Sequence, residues 1–219
     1  MIPVSPAPEP AGFDLQVRKP GMRAIAEMVG KSPRSPRKNG RPFKKIAARE
    51  DDIPAERFPN YWTRALDDLM TAYHQICAYA CFRIHPVTGA RSADHFAPKS
   101  RSWRSSYEWS NYRLCCGQMN ARKNDFGDVL DPFTIKSGWF HIELLGFQVL
   151  PDPNLPRTAR KRIQATIDRL GLNDFCHERE EDAERYWNSG YSLDVLKEES
   201  PFVAFELNRQ GRLRPGDSW

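Results

Sequence analysis

The sequence predicts an α+β fold, on three observations. Between Arg91 and Asp125 the residue pattern reads strand, loop, strand, helix in quick succession. Upstream, residues 1–60 hold ten prolines and a run of unbroken positive charge, which reads as a mostly irregular, basic, extended N-terminal arm. Downstream, residues 134–219 read first as extended and then as a largely helical C-terminal region that supports or docks. The chemistry-bearing residues fall in 61–133. A chain of 219 residues suffices for one ordinary core with attached segments.

Each element has its own local reason. Pro59 and Asn60 start a helix whose Trp62, Leu66, Leu69, Met70 and Tyr73 share one face. Gly89 marks a turn, and Arg91 to Phe96 has the length of a strand. Pro98 and the serines at 100, 102, 105 and 106 make the next stretch a loop. Tyr112 to Cys115 reads as a second strand, and Gln118 to Asp125 has the polar character of an exposed helix. Phe140 to Leu150 is apolar around Gly146, which predicts a hairpin or two short strands. Thr158 to Leu170 is amphipathic, with Ile163, Ile167 and Leu170 on one face and Gly171 as its stop. Cys176 to Trp187 reads as a charged helix. Ser192 caps a third, which Pro201 ends.

The net charge of +5 is unevenly placed. Lys31, Arg34, Arg37, Lys38, Arg41, Lys44, Lys45 and Arg49 fall in nineteen residues without one carboxylate, so the rest of the chain is net acidic. Such a run reads as an arm that neutralises phosphates, or as a solvated linker. No apolar run is long enough to cross a bilayer, and Met1 to Pro20 lacks the pattern of a signal peptide. A soluble, cytoplasmic protein without a membrane partner is the expectation.

Asp94 and His95 stand in SADHFAPKS, Asn111 in YEWSNYRL and Asn120 in MNARK. Singly, each has an ordinary reading as a surface pair, a turn residue or a cap. Together they offer what phosphodiester hydrolysis needs: a base for water, and oxygen ligands for a hard cation that holds the phosphate. His95 is neutral at pH 7 in its unperturbed state and can take the proton. Asp94 and Asn120 carry oxygen donors that suit Mg²⁺ or Mn²⁺. Adjacent strand residues point to opposite faces, so Asp94 and His95 serve one site only if the strand ends there and the loop turns.

On these residues the chain resembles the HNH endonuclease family, whose core is a ββα-metal fold. In that resemblance His95 is the first H, Asn111 the N, and Asn120 stands for the last H, a variant shared with the HNH domain of the CRISPR nucleases. It implies Asp94 and Asn120 as catalytic metal ligands, His95 as general base, and Asn111 as the residue that orients the His95 loop. Lys123, one turn after Asn120, would face phosphate. Lys99 and Arg122 beside the site, and Arg37, Lys38, Lys44 and Lys45 in the arm, complete the candidate nucleic-acid contacts. The strings CAYACFRI, ADHFAPKS, YEWSNYRLCC, MNARK and VLDPF look like the HNH proteins of retron-type and Septu-type antiphage systems, over roughly residues 61–173. That likeness implies a DNA substrate, an RNA substrate being chemically equivalent at this site, and an ATPase partner. The chain itself has no Walker motif.

Family members often carry two Cys-x-x-Cys pairs that bind a structural zinc. Here Cys77 and Cys81 are spaced one residue wider, and Met119 replaces the fourth cysteine after Cys116. Thioether is a poor zinc ligand. A zinc site on Cys77, Cys81 and Cys116 therefore stands beside a reading of Cys77, Cys81, Cys115 and Cys116 as small buried apolar residues. A nucleic-acid-binding or scaffold subunit without catalysis is the alternative function.

Overall fold

Residues Arg91–His95 form strand β1 and Tyr112–Cys116 form strand β2 in the computed structural model, which describes residues 1–219. The two strands pair antiparallel, with Arg91 opposite Cys116 and His95 opposite Tyr112. Helix α3 (Gly117–Lys123) follows β2 without a connecting loop. Helix α2 (Leu66–Ala72) packs against both strands and is entered through a single 3₁₀ turn at Tyr61–Ala65. A second antiparallel pair, β3 (Phe140–Ile142) and β4 (Val149–Pro151), is the expected hairpin. With seven helices in all, the fold is mixed helix and small sheet.

Helix α4 (Arg157–Leu170) buries Ile163, Ile167 and Leu170, each contributing at most about 1.5–3 kcal/mol. Gly171 ends it in the left-handed region at φ 58°, which a side chain would resist. Helix α5 spans Cys176–Trp187. Helix α6 (Leu193–Glu199) is capped by the Ser192 hydroxyl, which accepts the Val195 N–H at 3.2 Å.

Pro201 does more than end α6. It is the first residue of α7 (Pro201–Arg209), where its missing N–H would have had no helical partner anyway. Glu206 of α7 is fully buried and accepts the Ile142 N–H at 3.1 Å, which fixes α7 to β3. The Nδ1 of His141 in β3 is buried without a partner.

The N-terminal stretch is less irregular than its prolines suggest. It contains helix α1 (Lys19–Met28), which buries Ala24, Ile25 and Met28. Gly21 is required there, because a Cβ would sit 2.3 Å from the Tyr107 ring. The basic run forms no strand or helix, yet it is tied to α1. Ile46 and Ala47 donate their N–H groups to the Met28 carbonyl at 2.8 and 3.2 Å, and Arg37 pairs with Glu27 at 2.8 Å. Further upstream, Ala7 donates its N–H to the Tyr73 hydroxyl at 3.3 Å and accepts from Trp109 Nε1 at 2.8 Å, while Val4 donates to the Pro132 carbonyl at 2.9 Å. One hydrophobic cluster runs from Met1 to Leu207 and so draws on all three stretches of the chain. No helix is long and apolar enough to cross a membrane.

Candidate functional site

His95 is the last residue of β1, so the chain leaves the sheet directly after it. That placement lets Asp94 and His95 both line one cavity of about 610 Å³, together with Asn120 from α3. Trp62, Lys99, Glu56 and Asp125 also line it.

The His95 ring is held on three sides. Trp62 and Tyr112 meet it edge to face, with centroids at 4.8 and 5.1 Å. Its Nε2 lies 3.0 Å from the Ser106 carbonyl oxygen, which can only accept, so Nε2 carries the proton. The same carbonyl accepts the Tyr112 hydroxyl at 2.9 Å and is thereby fixed in turn. Nδ1 keeps its lone pair and makes no hydrogen bond with the protein. Burial, with the Lys99 cation nearby, lowers the His95 pKa to about 3, so the imidazole is neutral at pH 7.

Asn111 is buried and clamps the loop that follows His95. Its Oδ1 accepts the Ala97 N–H at 2.7 Å, and its Nδ2 donates to the carbonyls of Ala97 and Ser105 at 3.0 Å each. The Asn111 carbonyl accepts the Phe96 N–H at 2.9 Å, so backbone and side chain act on the same turn.

Asp94 is 1% exposed and doubly bonded. Its Oδ2 accepts the Tyr79 hydroxyl at 2.6 Å, and its Oδ1 lies 3.0 Å from Lys123 Nζ. Burial raises its pKa, against the pull of Lys123, Tyr79 and Arg113. Lys123 corrects the expectation of a phosphate contact. It is fully buried, and its three donors go to Asp94, the His95 carbonyl (3.2 Å) and the Phe96 carbonyl (3.3 Å). A lysine with those partners faces the interior and closes the end of α3 onto β1.

Asn120 donates Nδ2 to Ser92 Oγ at 2.7 Å, which leaves its carbonyl oxygen for the cavity. A carboxylate and an amide oxygen on one cavity wall make a hard-oxygen donor pair, and each Asp94 oxygen keeps a further lone pair. Asp94 and Asn120 are the residues that would hold a magnesium or manganese ion, with Asp94 already paired to Lys123.

The remaining expected contacts divide. Lys99 reaches the cavity with Nζ 3.9 Å over the Trp62 ring, and burial lowers its pKa. Arg122 is turned away: it donates to the carbonyls of Leu170 (2.8 Å) and Gly171 (3.0 Å) and pairs with Asp174, capping α4. Arg37 is neutralised by Glu27. Lys38, Lys44 and Lys45 have no carboxylate partner and remain exposed. Tyr107 and Trp109, in the stretch between the two strands, are buried core.

Cys77 and Cys116 come together, Cys77 Sγ accepting the Cys116 N–H at 3.5 Å, while the Cys81 thiol faces the Tyr79 carbonyl. The pairing lowers the Cys116 pKa to about 6. No three His, Cys, Asp or Glu side chains gather as a metal-holding group. Sequence reasoning missed Tyr79 as the partner of Asp94 and Ser106 as the partner of His95. Tyr79 stood in the quoted string CAYACFRI, but Ser106 acts through its backbone and leaves no side-chain signal.

The sequence matches no family model and no curated protein.

Proposed function

We propose that this chain is a metal-dependent endonuclease that hydrolyses phosphodiester bonds in DNA. One observation carries the reading: a neutral histidine with a free Nδ1 shares a cavity with the oxygen donors of Asp94 and Asn120. A magnesium or manganese ion held by Asp94 and Asn120 would supply Lewis-acid stabilisation of negative charge on the phosphate. His95 Nδ1 takes the proton from water as the water oxygen bonds to phosphorus. The bond from phosphorus to the 3′-oxygen breaks, and that oxygen leaves with the electron pair and is protonated by solvent. Burial and the nearby Lys99 disfavour the imidazolium, but a bound phosphodiester would bring the negative charge that stabilises it. Lys99 faces the same space and offers its ammonium to a phosphate oxygen. Asn111 acts through the loop, and Lys123 through Asp94, so both are positioning residues.

Replacing His95 by Ala is expected to abolish nicking of supercoiled plasmid with Mg²⁺ or Mn²⁺. Plasmid cut at the parental rate by that variant refutes the mechanism. A second reading, a nucleic-acid-binding subunit without catalysis, is favoured by Asp94 being already satisfied by Lys123 and Tyr79. Under that reading the parent binds DNA and nicks nothing with either metal. By resemblance, the partner is an ATPase and the setting antiphage defence. Co-purification with the product of a neighbouring ATPase gene tests that pairing.

A further inference from the structure

A second cavity, of about 700 Å³, lies between α1, the basic run and the loop after His95. Six cations line it. Three are engaged by carboxylates: Arg18 by Glu9, Asp14 and Glu108, Lys19 by Asp14, and Lys31 by Glu50. The other three are guanidiniums with no carboxylate in hydrogen-bond contact. Arg23 donates only to the Ser35 carbonyl, Arg34 has no protein partner, and Arg104 stacks on Trp103 at 4.5 Å. Glu50, near Arg104, is already held by Lys31. Trp103 adds an indole N–H that is buried without an acceptor. Uncommitted guanidiniums fit phosphate oxygens in a bidentate way that ammonium groups do not.

Two short stretches of chain connect this cleft to the catalytic cavity. Ser100 lines the catalytic cavity and Arg104, four residues on, the cleft, while Ala55 lines the catalytic cavity and Glu50, five residues before it, the cleft. Four or five residues of chain span at most about 14–18 Å, over which one nucleic-acid strand carries about four to five phosphates.

We propose that the cleft is an exosite for the sugar-phosphate backbone of a polynucleotide, gripped by Arg23, Arg34 and Arg104 on one side of the scissile phosphate. The proposal rests on the nuclease reading for its substrate, but its test is separable. The full chain carrying R23Q, R34Q and R104Q together is compared with the parent for binding of a labelled DNA duplex across a salt series. The plot of log affinity against log salt is expected to flatten by about 2–3, with the urea midpoint unchanged. R185Q, whose cation is paired with Glu181 and Asp182 on α5, is expected to leave the slope as in the parent. Hydrolysis of bis(p-nitrophenyl) phosphate, too small to reach the cleft, is expected to stay at the parental rate in the triple variant while plasmid nicking falls.

An unchanged salt slope overturns the exosite, as does a parent that binds no duplex. An equal loss on the small diester overturns it too, since the arginines would then act on the catalytic cavity. If polyglutamate binds the parent as tightly as the duplex and is lost equally in the variant, the cleft serves an acidic protein and the proposal fails. A parent that hydrolyses neither substrate, yet shows the flattened slope on substitution, refutes the nuclease reading and leaves the exosite standing.

Discussion

Replacing Lys123 by Met tests the interior of the site most directly. Lys123 is fully buried and Asp94 is 1% exposed, so this ion pair has almost no solvent to fall back on. Met keeps the length of the side chain and removes the charge. Asp94 is then left with the Tyr79 hydroxyl, and the carbonyls of His95 and Phe96 each lose a donor. Breaking a buried pair from one side costs about 3–5 kcal/mol. That is a large share of a total stability of about 5–15 kcal/mol. Urea unfolding followed by circular dichroism is expected to show the midpoint falling by about 1–2 M at unchanged slope. Adding D94N neutralises the stranded carboxylate and keeps an oxygen for Tyr79. The double variant is therefore expected to recover about 2–3 kcal/mol of the loss. A cost below about 1 kcal/mol for Lys123→Met, or no recovery on adding D94N, refutes the argument. Either result would mean that Asp94 is held as a neutral acid.

Asn111→Ala removes hydrogen bonds to Ala97 N–H, Ala97 carbonyl and Ser105 carbonyl and is expected to cost about 2–4 kcal/mol in urea unfolding, with plasmid nicking reduced. Nicking at the parental rate would show that the loop positions nothing. His95 has a folded pKa of about 3 against 6.5 when unfolded, so the unfolded chain takes up the proton first as pH falls. Its contribution to stability is complete above about pH 6.5 and is lost as the pH falls toward 3, by at most about 1.4 kcal/mol per pH unit. The Asp94 carboxyl, raised in the fold, has the opposite sign and acts in parent and variant alike. Comparing unfolding free energies of the parent and His95→Gln between pH 7 and pH 4 in chelator is expected to show the steeper acid loss in the parent. Parallel curves would place a protonatable His95 in the folded chain.

The strand–loop–strand–helix order was legible because its signals are local. Gly89, the serine-rich loop and the polar stretch after Cys116 each punctuate the chain within a few residues. The α4 helix was legible for the same reason, from three apolar residues on one face and a closing Gly171. Helix α1 was obscured by Pro20 and Gly21, which read as breakers in a proline-rich stretch. Yet Pro20 stands in the first turn, where proline is tolerated, and Gly21 answers to Tyr107, far along the chain. Pro201 misled in the same way at α7. The fates of Lys123, Arg122 and Arg37 could not be read locally. Their partners Asp94, Asp174 and Glu27 are chosen by tertiary packing, and a cation in a sequence looks the same whether it ends in solvent or in the core.

The fastening of Ala7 sets an order on folding. Its two side-chain partners lie 66 and 102 positions further along the chain. At about 5–20 residues per second, the ribosome delivers the more distant partner roughly 5–20 s after Ala7 itself. Residues made first are therefore seated late, once Trp109 and Pro132 exist to receive them. Contacts of such long sequence separation slow folding, because the intervening loop must close before they contribute. A fragment starting near Tyr61 would lack this closure and leave the apolar wall of Tyr73, Leu114 and Phe133 without its cover of Ile2 to Ala7.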